Sequence, residues 1–350
     1  MSRPWRIEVV PGDGIGPEVT EVALEVLDRV ADLEGLSLDF HRHPFSADHY
    51  LATGITLPDG ILEGWRRSDA ILMGAFGDPR VPDMKHAADI LLGTRFKLDL
   101  YANVRPIRCL DDGLCPLKNK LARDVDMVFF RENTEGLYVG MGGFFKKDTP
   151  EEVAIQEDLN TRKGVERIIR MAFQYARETG RKKVVMSDKA NVLCYGHDLW
   201  QRVFASVSAE YPELDASHLY VDALAMQMIR RPENFDVVVT CNMFGDIVTD
   251  LGAALQGGLG MAASGNIHPG GTSMFEPVHG SAPKYAGKDQ ANPMGAVLTA
   301  ALMLHHLGAR EASGRMEAAV TACLSAGKVT RDLGGSLGTR AVGKAICEAF

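Results

Sequence analysis

Two carboxylates one helical turn apart are the strongest chemical signal in the chain. Asp246 and Asp250 lie in the segment 241–250, which follows an apolar, strand-like stretch at 235–240. On a helix, residues four apart project from one face, where two carboxylates repel each other unless a cation lies between them. A divalent cation with oxygen ligands would relieve that repulsion. A solvated acidic helix face is the alternative, but the apolar and glycine-rich neighbours favour a metal site.

The composition is that of an ordinary globular protein. The 350 residues are 46% hydrophobic and 24% charged, which suits one large α/β unit or two domains. Acidic residues outnumber Lys and Arg, and the net charge of −8 disfavours nucleic acid and membrane surfaces as partners. The six cysteines are scattered without a Cys-x-x-Cys pair, which favours reduced thiols. Because the sequence shows neither a signal-peptide pattern nor an apolar run of about twenty residues, we expect a cytoplasmic protein.

Strand and helix signals alternate along the whole chain, which predicts an α/β fold with a largely parallel sheet. The predicted strands are 6–10, 70–73, 127–130, 183–186 and 237–239. The predicted helices are 18–31, 163–178, 198–211, 295–307 and 315–324. A turn-rich stretch at 140–150 and an alternating segment at 153–156 predict an exposed β arm. No flexible linker is evident, so ordered structure must cross any domain boundary.

Several motifs, in one order along the chain, resemble a single family, the β-decarboxylating dehydrogenases. They are PGDGIGPE (11–18), DLYANVRP (99–106), RENTEGLY (131–138), SDKANV (187–192), the segment around Asp246, EPVHGSAP (276–283) and ANP (291–293). The family includes 3-isopropylmalate, isocitrate, homoisocitrate, tartrate and D-malate dehydrogenases. The resemblance implies an isopropylmalate/isocitrate dehydrogenase-like fold, in which two α/β domains share a large mixed sheet. It also implies a discontinuous cofactor domain at 1–99 and 255–350, and a substrate, metal and dimerisation domain at 100–254 with the arm near 140–156.

The glycine-rich loop at 12–16 looks at first like a dinucleotide fingerprint, because it follows a strand and opens a helix. Its glycines lack the G-x-G-x-x-G spacing, and Pro17 follows directly. The resemblance implies that the fold is not a Rossmann domain. The adenosine side of the cofactor would instead contact the loop around His279 and Asn292.

The resemblance gives the acidic motif a role in a metal centre. Asp222, Asp246 and Asp250 would bind Mg²⁺ or Mn²⁺, hard ions that suit carboxylate and water ligands. In such enzymes the metal is chelated by the C2 oxygen and the C1 carboxylate of the substrate and assists decarboxylation. Lys189 would take the C2 hydroxyl proton as the hydride leaves, and Tyr138 would protonate the enolate carbon. A lysine can act as a base only when burial or nearby cations lower its pKa from about 10.4.

Three arginines at motif positions, Arg95, Arg105 and Arg131, match the family's carboxylate clamp, since guanidinium groups pair bidentately with carboxylates. In this family Lys189 and Asp222 come from the neighbouring subunit. The resemblance therefore implies a homodimer that binds its small-molecule substrate in active sites shared between subunits.

The segment before Arg95 bears on the choice of substrate. Isopropylmalate enzymes resemble it in having two leucines at the places of Leu91 and Leu92, which pack against the isopropyl group. Isocitrate enzymes place a hydroxyl and an amide at the positions of Asp89 and Leu91 to hold an extra carboxylate, which Asp89 would repel. We therefore expect 3-isopropylmalate, and with it a role in leucine biosynthesis. The motif RENTEG (131–136) is closer to the isocitrate, homoisocitrate and tartrate branches, so those substrates and D-malate stay open.

The cofactor would be NAD or NADP. The implied contacts are His279, Gly280, Ser281, Ala282, Lys284, Tyr285 and Asn292. NAD-using relatives usually place Asp-Ile at 284–285, whereas NADP-using isocitrate dehydrogenases resemble this chain in having Lys-Tyr there. A cation at Lys284 favours the 2′-phosphate, although the segment 330–335 with Arg331 resembles the NAD-using branch. We favour NADP.

Two non-catalytic functions compete with these expectations. A regulatory subunit of a hetero-oligomeric isocitrate dehydrogenase would have drifted at the site residues. An α/β nucleotide-binding module would leave the acids and arginines without a function. Because this chain keeps the implied catalytic, metal and clamp residues, we expect an enzyme.

Overall fold

The computed structural model describes residues 3–350, which form two compact α/β units. Unit 1 comprises the described residues through Leu100 with Arg105–Val125 and Ala253–Phe350, and unit 2 comprises Tyr101–Val104 and Asp126–Gly252. The predicted domain bounds differ from these units at 105–125, which the prediction placed with 100–254. Leu110 and Leu114 of that segment pack against the apolar core of unit 1, and this burial holds the segment there.

The strands are β1 (Trp5–Gly12), β2 (Leu38–Arg42), β3 (Ala70–Ala75), β4 (Ala102–Arg108), β5 (Asp126–Glu132), β6 (Gly142–Phe145), β7 (Val153–Gln156), β8 (Lys183–Asp188), β9 (Asp215–Tyr220), β10 (Val237–Thr240), β11 (Ala263–Ile267) and β12 (Ser273–Pro277). Within the described residues, ten of them form one sheet in the order β2-β1-β3-β12-β11-β4-β5-β10-β8-β9. β11 and β12 are antiparallel, whereas β1 is parallel to β2 and β3. The predicted large mixed sheet is therefore confirmed.

The helices are α1 (Gly16–Glu34), α2 (Ala47–Thr53), α3 (Asp59–Trp65), α4 (Lys85–Ala87), α5 (Gly93–Lys97), α6 (Arg162–Thr179), α7 (Gly196–Ser208), α8 (Val221–Arg230), α9 (Asn242–Leu255), α10 (Met294–His306), α11 (Arg310–Ser325) and α12 (Thr339–Glu348). Each predicted helix is present, although the one expected at 198–211 begins two residues earlier and ends at Ser208. None of the helices in residues 3–350 is long and apolar enough to cross a membrane. All six cysteines are free thiols.

The core of unit 1 lies between β1, β3 and the helices that cover them. α1 has Pro17 in its first turn, where the missing N–H needs no partner, and it is capped after Glu34 by Gly35 in the left-handed conformation (φ 64°). Its inner face, which includes Val26, packs with Val297 of α10 and Met316 of α11. This packing fixes the loop 12–16 at the amino end of α1.

In unit 2 the strands β5, β10, β8 and β9 are parallel neighbours. α6 packs against them through buried residues such as Phe173, whose ring centroid lies 5.5 Å from that of Phe204 on α7. Because the carboxyl ends of parallel strands meet at one edge, Arg131, Lys189 and Asn242 leave the sheet on the same side. Ligands of open α/β sheets commonly bind at that edge.

The predicted arm is present as an antiparallel hairpin of β6 and β7. Its apolar side chains are exposed in the single chain, with Phe144 at 63%, Phe145 at 66% and Ile155 at 56%. Exposed apolar clusters of this kind mark interaction sites, and the clasping of a partner subunit stays a prediction.

A buried carboxylate lies in the middle of β1. Glu8 is fully buried and bonded to Arg6 Nε at 2.7 Å, Ser68 Oγ at 2.5 Å and His43 Nε2 at 2.6 Å. Burial opposes ionisation, but the three hydrogen bonds outweigh it and hold the pKa of Glu8 below its usual value. A lowered folded-state pKa stabilises the fold above the unfolded pKa, and this stabilisation is lost as the pH falls through the folded-state pKa.

Glu8→Gln is expected to lower the free energy of unfolding by on the order of 3 kcal/mol, because the amide NH₂ faces groups that need an acceptor. Urea denaturation followed by circular dichroism measures this change. The control is Glu63→Gln, which removes an exposed pair with Arg66 at 3.3 Å and should cost under about 0.5 kcal/mol. Equal effects of the two substitutions would contradict the role given to Glu8.

Candidate active site

The predicted substrate segment is a composite helix with an irregular centre. α4 passes into a π-helical turn at Ala88–Leu92 and then into α5. π-turns are rare and often occur at functional sites. Here the turn contains Leu91, and Arg95 follows four residues later.

Leu91, Arg95 and Arg105 line one cavity of about 150 Å³ in unit 1. The other lining residues come from the chain around β3, β11 and β12: Gly74, Ala75, Phe76, Ser264, Glu276, Pro277, Val278, His279 and Gly280. The arginines are 9% and 6% exposed, so their charges are directed into the protein rather than into bulk water. Leu92, the other predicted apolar contact, is half-buried and does not line this cavity within the described chain. The structure thus brings together three of the predicted substrate contacts.

Glu276 is a cavity residue to which the sequence analysis gave no role. Its Oε1 accepts hydrogen bonds from Arg95 Nη2 at 2.6 Å and from Asn266 Nδ2 at 2.9 Å. The carboxylate therefore neutralises part of the positive charge of the cavity and fixes the orientation of Arg95. Glu276 is the first residue of the motif EPVHGSAP, which could have marked it as a site residue. Its partner Arg95 could not be predicted, because it lies 181 residues away in the sequence.

Asp89, which is expected to repel an extra substrate carboxylate, is paired with neighbouring side chains of unit 1. Its carboxylate accepts hydrogen bonds from Lys85 Nζ and Thr56 Oγ1, each at 2.9 Å. Burial opposes its ionisation, but these bonds prevail and lower its pKa. Because Lys85 offsets the charge and Asp89 does not line the cavity of Leu91, direct repulsion of a substrate carboxylate is not supported. Leu91 is the predicted substrate contact of this cavity that suits an alkyl group rather than a carboxylate.

In unit 2, Arg131, Tyr138 and Asp246 form one connected cluster. Arg131, at 1% exposure, donates from Nε and Nη2 to Asn242 Oδ1 at 2.9 and 2.7 Å, and its Nη1 pairs with Asp246. The hydroxyl of Tyr138 donates to Asp246 Oδ2 at 2.7 Å. Burial, followed by this bond to the carboxylate, raises the pKa of Tyr138. The hydroxyl is therefore protonated at neutral pH and available as a proton donor.

Gly245 leaves room for the side chain of Arg131 beside α9. A Cβ at this position would lie 2.6 Å from Cγ of Arg131, which is closer than side chains pack. The glycine between Phe244 and Asp246 therefore lets the Arg131 side chain cross α9 and reach Asp246.

The predicted metal ligands are only partly assembled within one chain. Asp246 and Asp250 lie on α9 one turn apart, and their carboxylates fit two oxygen ligands of a hard divalent ion. Asp222, on the first turn of α8, pairs with the ammonium of Lys189, which lies 5.7 Å from the ring centroid of Tyr220. Among residues 3–350 no group of three or more His, Cys, Asp or Glu side chains is placed to hold a metal ion. Asp222 is thus not brought to the other two acids.

The glycine-rich loop 12–16 supports the predicted cofactor loop directly. The N–H of Ile15 donates to the carbonyl oxygen of Ser281 at 2.8 Å, and Ser281 Oγ donates to the carbonyl oxygen of Gly77 at 2.5 Å. A Cβ on Gly14 would lie 2.0 Å from the same Ser281 oxygen. The glycines thus allow two backbone segments to approach closely, as expected for a loop that is not a Rossmann fingerprint.

A second cavity of unit 1, of about 430 Å³, contains most of the predicted cofactor contacts. It is lined by Ile15, Gly260, His279, Ala282, Tyr285, Gln290, Ala291, Asn292, Arg331 and Asp332. Burial lowers the pKa of His279, which is therefore a neutral imidazole at neutral pH. Gly280 lines the cavity of Leu91, Ser281 is buried beneath the loop, and Lys284 lies over the ring of Tyr285 at 4.8 Å from its centroid.

The mixed sheet, the arginine-lined cavity and the acidic helix α9 are those of a decarboxylating α/β dehydrogenase. The sequence profile of the family described as isocitrate/isopropylmalate dehydrogenase matches residues 6–346, and the chain belongs to that family. A Thermobifida fusca protein named 3-isopropylmalate dehydrogenase is 49% identical over 91% of each chain. One of the same name from Streptomyces griseus is 45% identical over 97% of this chain and 99% of its own. The crystal structure of isocitrate dehydrogenase from Methylococcus capsulatus matches with a TM-score of 0.90 and 38% identity over 99% of both chains.

Proposed function

We propose that the chain catalyses the metal-dependent oxidative decarboxylation of 3-isopropylmalate, with NADP⁺ as hydride acceptor. The observation that carries this proposal is the cavity in which Leu91 lies beside Arg95 and Arg105. Guanidinium groups suit the carboxylates of a malate, and a leucine suits an alkyl substituent but offers no donor to a third carboxylate. The similar proteins from T. fusca and S. griseus bear that substrate in their names. Such a reaction serves leucine biosynthesis.

The side chains of unit 2 supply the proton transfers in this proposal. Lys189 of the partner subunit takes the proton of the C2 hydroxyl, and Tyr138 gives its proton to the enolate carbon. Asp246 orients Tyr138 through the hydrogen bond of 2.7 Å. Asp246 and Asp250, with Asp222 of the partner subunit, would hold Mg²⁺ or Mn²⁺. When bound, the metal supplies a sink for the electron density that decarboxylation releases.

We propose that the active enzyme is a homodimer. Lys189 and Asp222 are paired with each other in the chain, while Asp246 of α9 is bonded to Tyr138. A second copy would bring the two groups together, as the family resemblance implies. The exposed apolar side chains of the hairpin β6–β7 would be buried in the same assembly.

NADP⁺ is the proposed cofactor because two cationic side chains lie close to Tyr285. Lys284 Nζ is 4.8 Å from its ring centroid, and Arg331 lines the same cavity as Tyr285. A 2′-phosphate pairs well with such groups, whereas the ribose hydroxyls of NAD⁺ need an acceptor. The carboxylate in this cavity, Asp332, already accepts a hydrogen bond from Asn292 at 3.1 Å.

The proposal is tested by following reduced-cofactor absorbance with Mg²⁺ present. NAD⁺ and NADP⁺ are each paired with 3-isopropylmalate, isocitrate, D-malate and tartrate. Highest kcat/KM with 3-isopropylmalate and NADP⁺ is the expected result. If isocitrate is the best substrate, Leu91 does not select an alkyl substituent. If NAD⁺ is the better acceptor, Lys284 does not select the 2′-phosphate of NADP⁺. Cofactor binding without turnover of any substrate would favour a regulatory subunit.

Leu91→Ala is expected to lower kcat/KM for 3-isopropylmalate by about tenfold, because an alkyl group in an apolar pocket contributes about 1–3 kcal/mol. D-malate, which lacks the isopropyl group, serves as the control substrate and should lose far less. Leu92→Ala is the matched control variant, since Leu92 does not line the cavity within the described chain. If Leu91→Ala loses no more activity with 3-isopropylmalate than with D-malate, Leu91 does not contact the substituent.

A further inference from the structure

His197 is a buried histidine to which the proposed reaction gives no part. It lies in the first turn of α7, and its side chain is 1% exposed. Its Nδ1 accepts a hydrogen bond from the backbone N–H of Lys189 at 2.8 Å. A ring nitrogen that accepts carries no proton, so the proton of the neutral imidazole is on Nε2.

The backbone of Lys189 is held on both sides. Its carbonyl oxygen accepts hydrogen bonds from the N–H groups of Val192 and Leu193 at 2.9 and 2.8 Å. The other polar backbone group of Lys189 is its N–H. Among residues 3–350, its hydrogen-bond acceptor is Nδ1 of His197. In the single chain the segment is otherwise exposed, with Val192 at 65% and Tyr195 at 89%. A polar anchor is therefore needed where apolar burial is small.

The far side of the imidazole is enclosed by the part of unit 2 that contains Asp246. The ring of Phe244, two residues before Asp246 on α9, meets the His197 ring edge-on at a centroid distance of 5.4 Å. Nε2 lies 4.0 Å from Asp158 Oδ2 and has no hydrogen-bond partner among residues 3–350. Burial lowers the pKa of His197, which keeps the ring neutral and Nδ1 free to accept.

We propose that His197 is a positioning residue, which fixes the backbone of Lys189, and with it the place where its side chain leaves the chain, by accepting the Lys189 N–H at Nδ1. The inference rests on the proposed function, in which Lys189 is the base. A base displaced by about 1 Å can lose on the order of a hundredfold in rate. His197 thus acts on the reaction through Lys189 and does not itself touch the substrate.

Hydrogen exchange of the native protein tests the hydrogen bond without any turnover. The probe is the amide of Lys189 in a peptide spanning 186–195, resolved by mass spectrometry with electron-transfer fragmentation. Strong protection of this amide is the expected result. Free exchange in the wild-type protein would overturn the proposal with no variant needed.

Two substitutions then separate positioning from packing. His197→Leu keeps the apolar volume but removes the acceptor, and it should lower kcat by about 10- to 100-fold with KM little changed and the Lys189 amide deprotected. His197→Asn keeps an acceptor oxygen near the place of Nδ1 and should restore both protection and kcat to within about threefold. A Leu variant with normal kcat, or an Asn variant with the same loss as Leu, would contradict the proposal. If the wild-type enzyme shows no turnover while exchange behaves as expected, the proposed function fails and the hydrogen bond stands.

Discussion

Lys189→Met is expected to lower kcat for the preferred substrate by about a thousandfold, since general base catalysis contributes about 10²- to 10⁴-fold. Methionine matches the length of lysine but has no group that accepts a proton. The fold should survive, because the partner Asp222 is 68% exposed and stays hydrated without the ammonium. Such an exposed pair contributes little to stability. Stopped-flow absorbance of the reduced cofactor measures the loss.

The matched control for this substitution is Lys163→Met, which changes an exposed lysine of α6 outside the site motifs. It should leave kcat unchanged. Urea denaturation of both variants excludes unfolding as the cause of the loss. Wild-type turnover in Lys189→Met would remove this residue from the proposed mechanism.

Asp246→Asn is expected to reduce kcat at least as much as Lys189→Met does. The carboxylate of Asp246 contacts two side chains and is also a proposed metal ligand. It accepts from Tyr138 at 2.7 Å and pairs with Arg131, which is 1% exposed. An amide turns a donor toward one of these groups and removes the charge that a divalent ion needs. We expect a loss of about a thousandfold together with a higher Mg²⁺ concentration for half-maximal rate.

Asp198→Asn is the control for the acidic substitution, since Asp198 is an exposed carboxylate paired with Arg202 at 2.7 Å on α7. Its turnover and its Mg²⁺ dependence should match those of the wild type. Isothermal titration of Mn²⁺ separates metal binding from chemistry. An Asp246→Asn variant with unchanged Mn²⁺ affinity would show that Asp246 acts only on Tyr138 and Arg131.

The pattern of neighbouring residues was sufficient to predict the strands and helices that hold the site residues. The apolar stretch 235–240 predicted a strand, and β10 is found there. The spacing of Asp246 and Asp250 suits a metal site if their segment is helical, and α9 is that helix. Helical spacing alone places Asp246 and Asp250 on one face. The motif order predicted the family, which the comparison confirms. These features depend on neighbours within a few residues, so a single sequence contains them.

Only the tertiary structure decided which side chains meet. Tyr138 reaches Asp246 across 108 residues, and Arg95 reaches Glu276 across 181. Asp89 was expected to face the substrate, but the helix turns it toward Lys85. Such pairings depend on strand order and helix rotation, which long-range burial sets. The chain thus determined by itself its elements, its family and its candidate chemical groups, whereas the partners that tune each group were decided by the packing of distant segments.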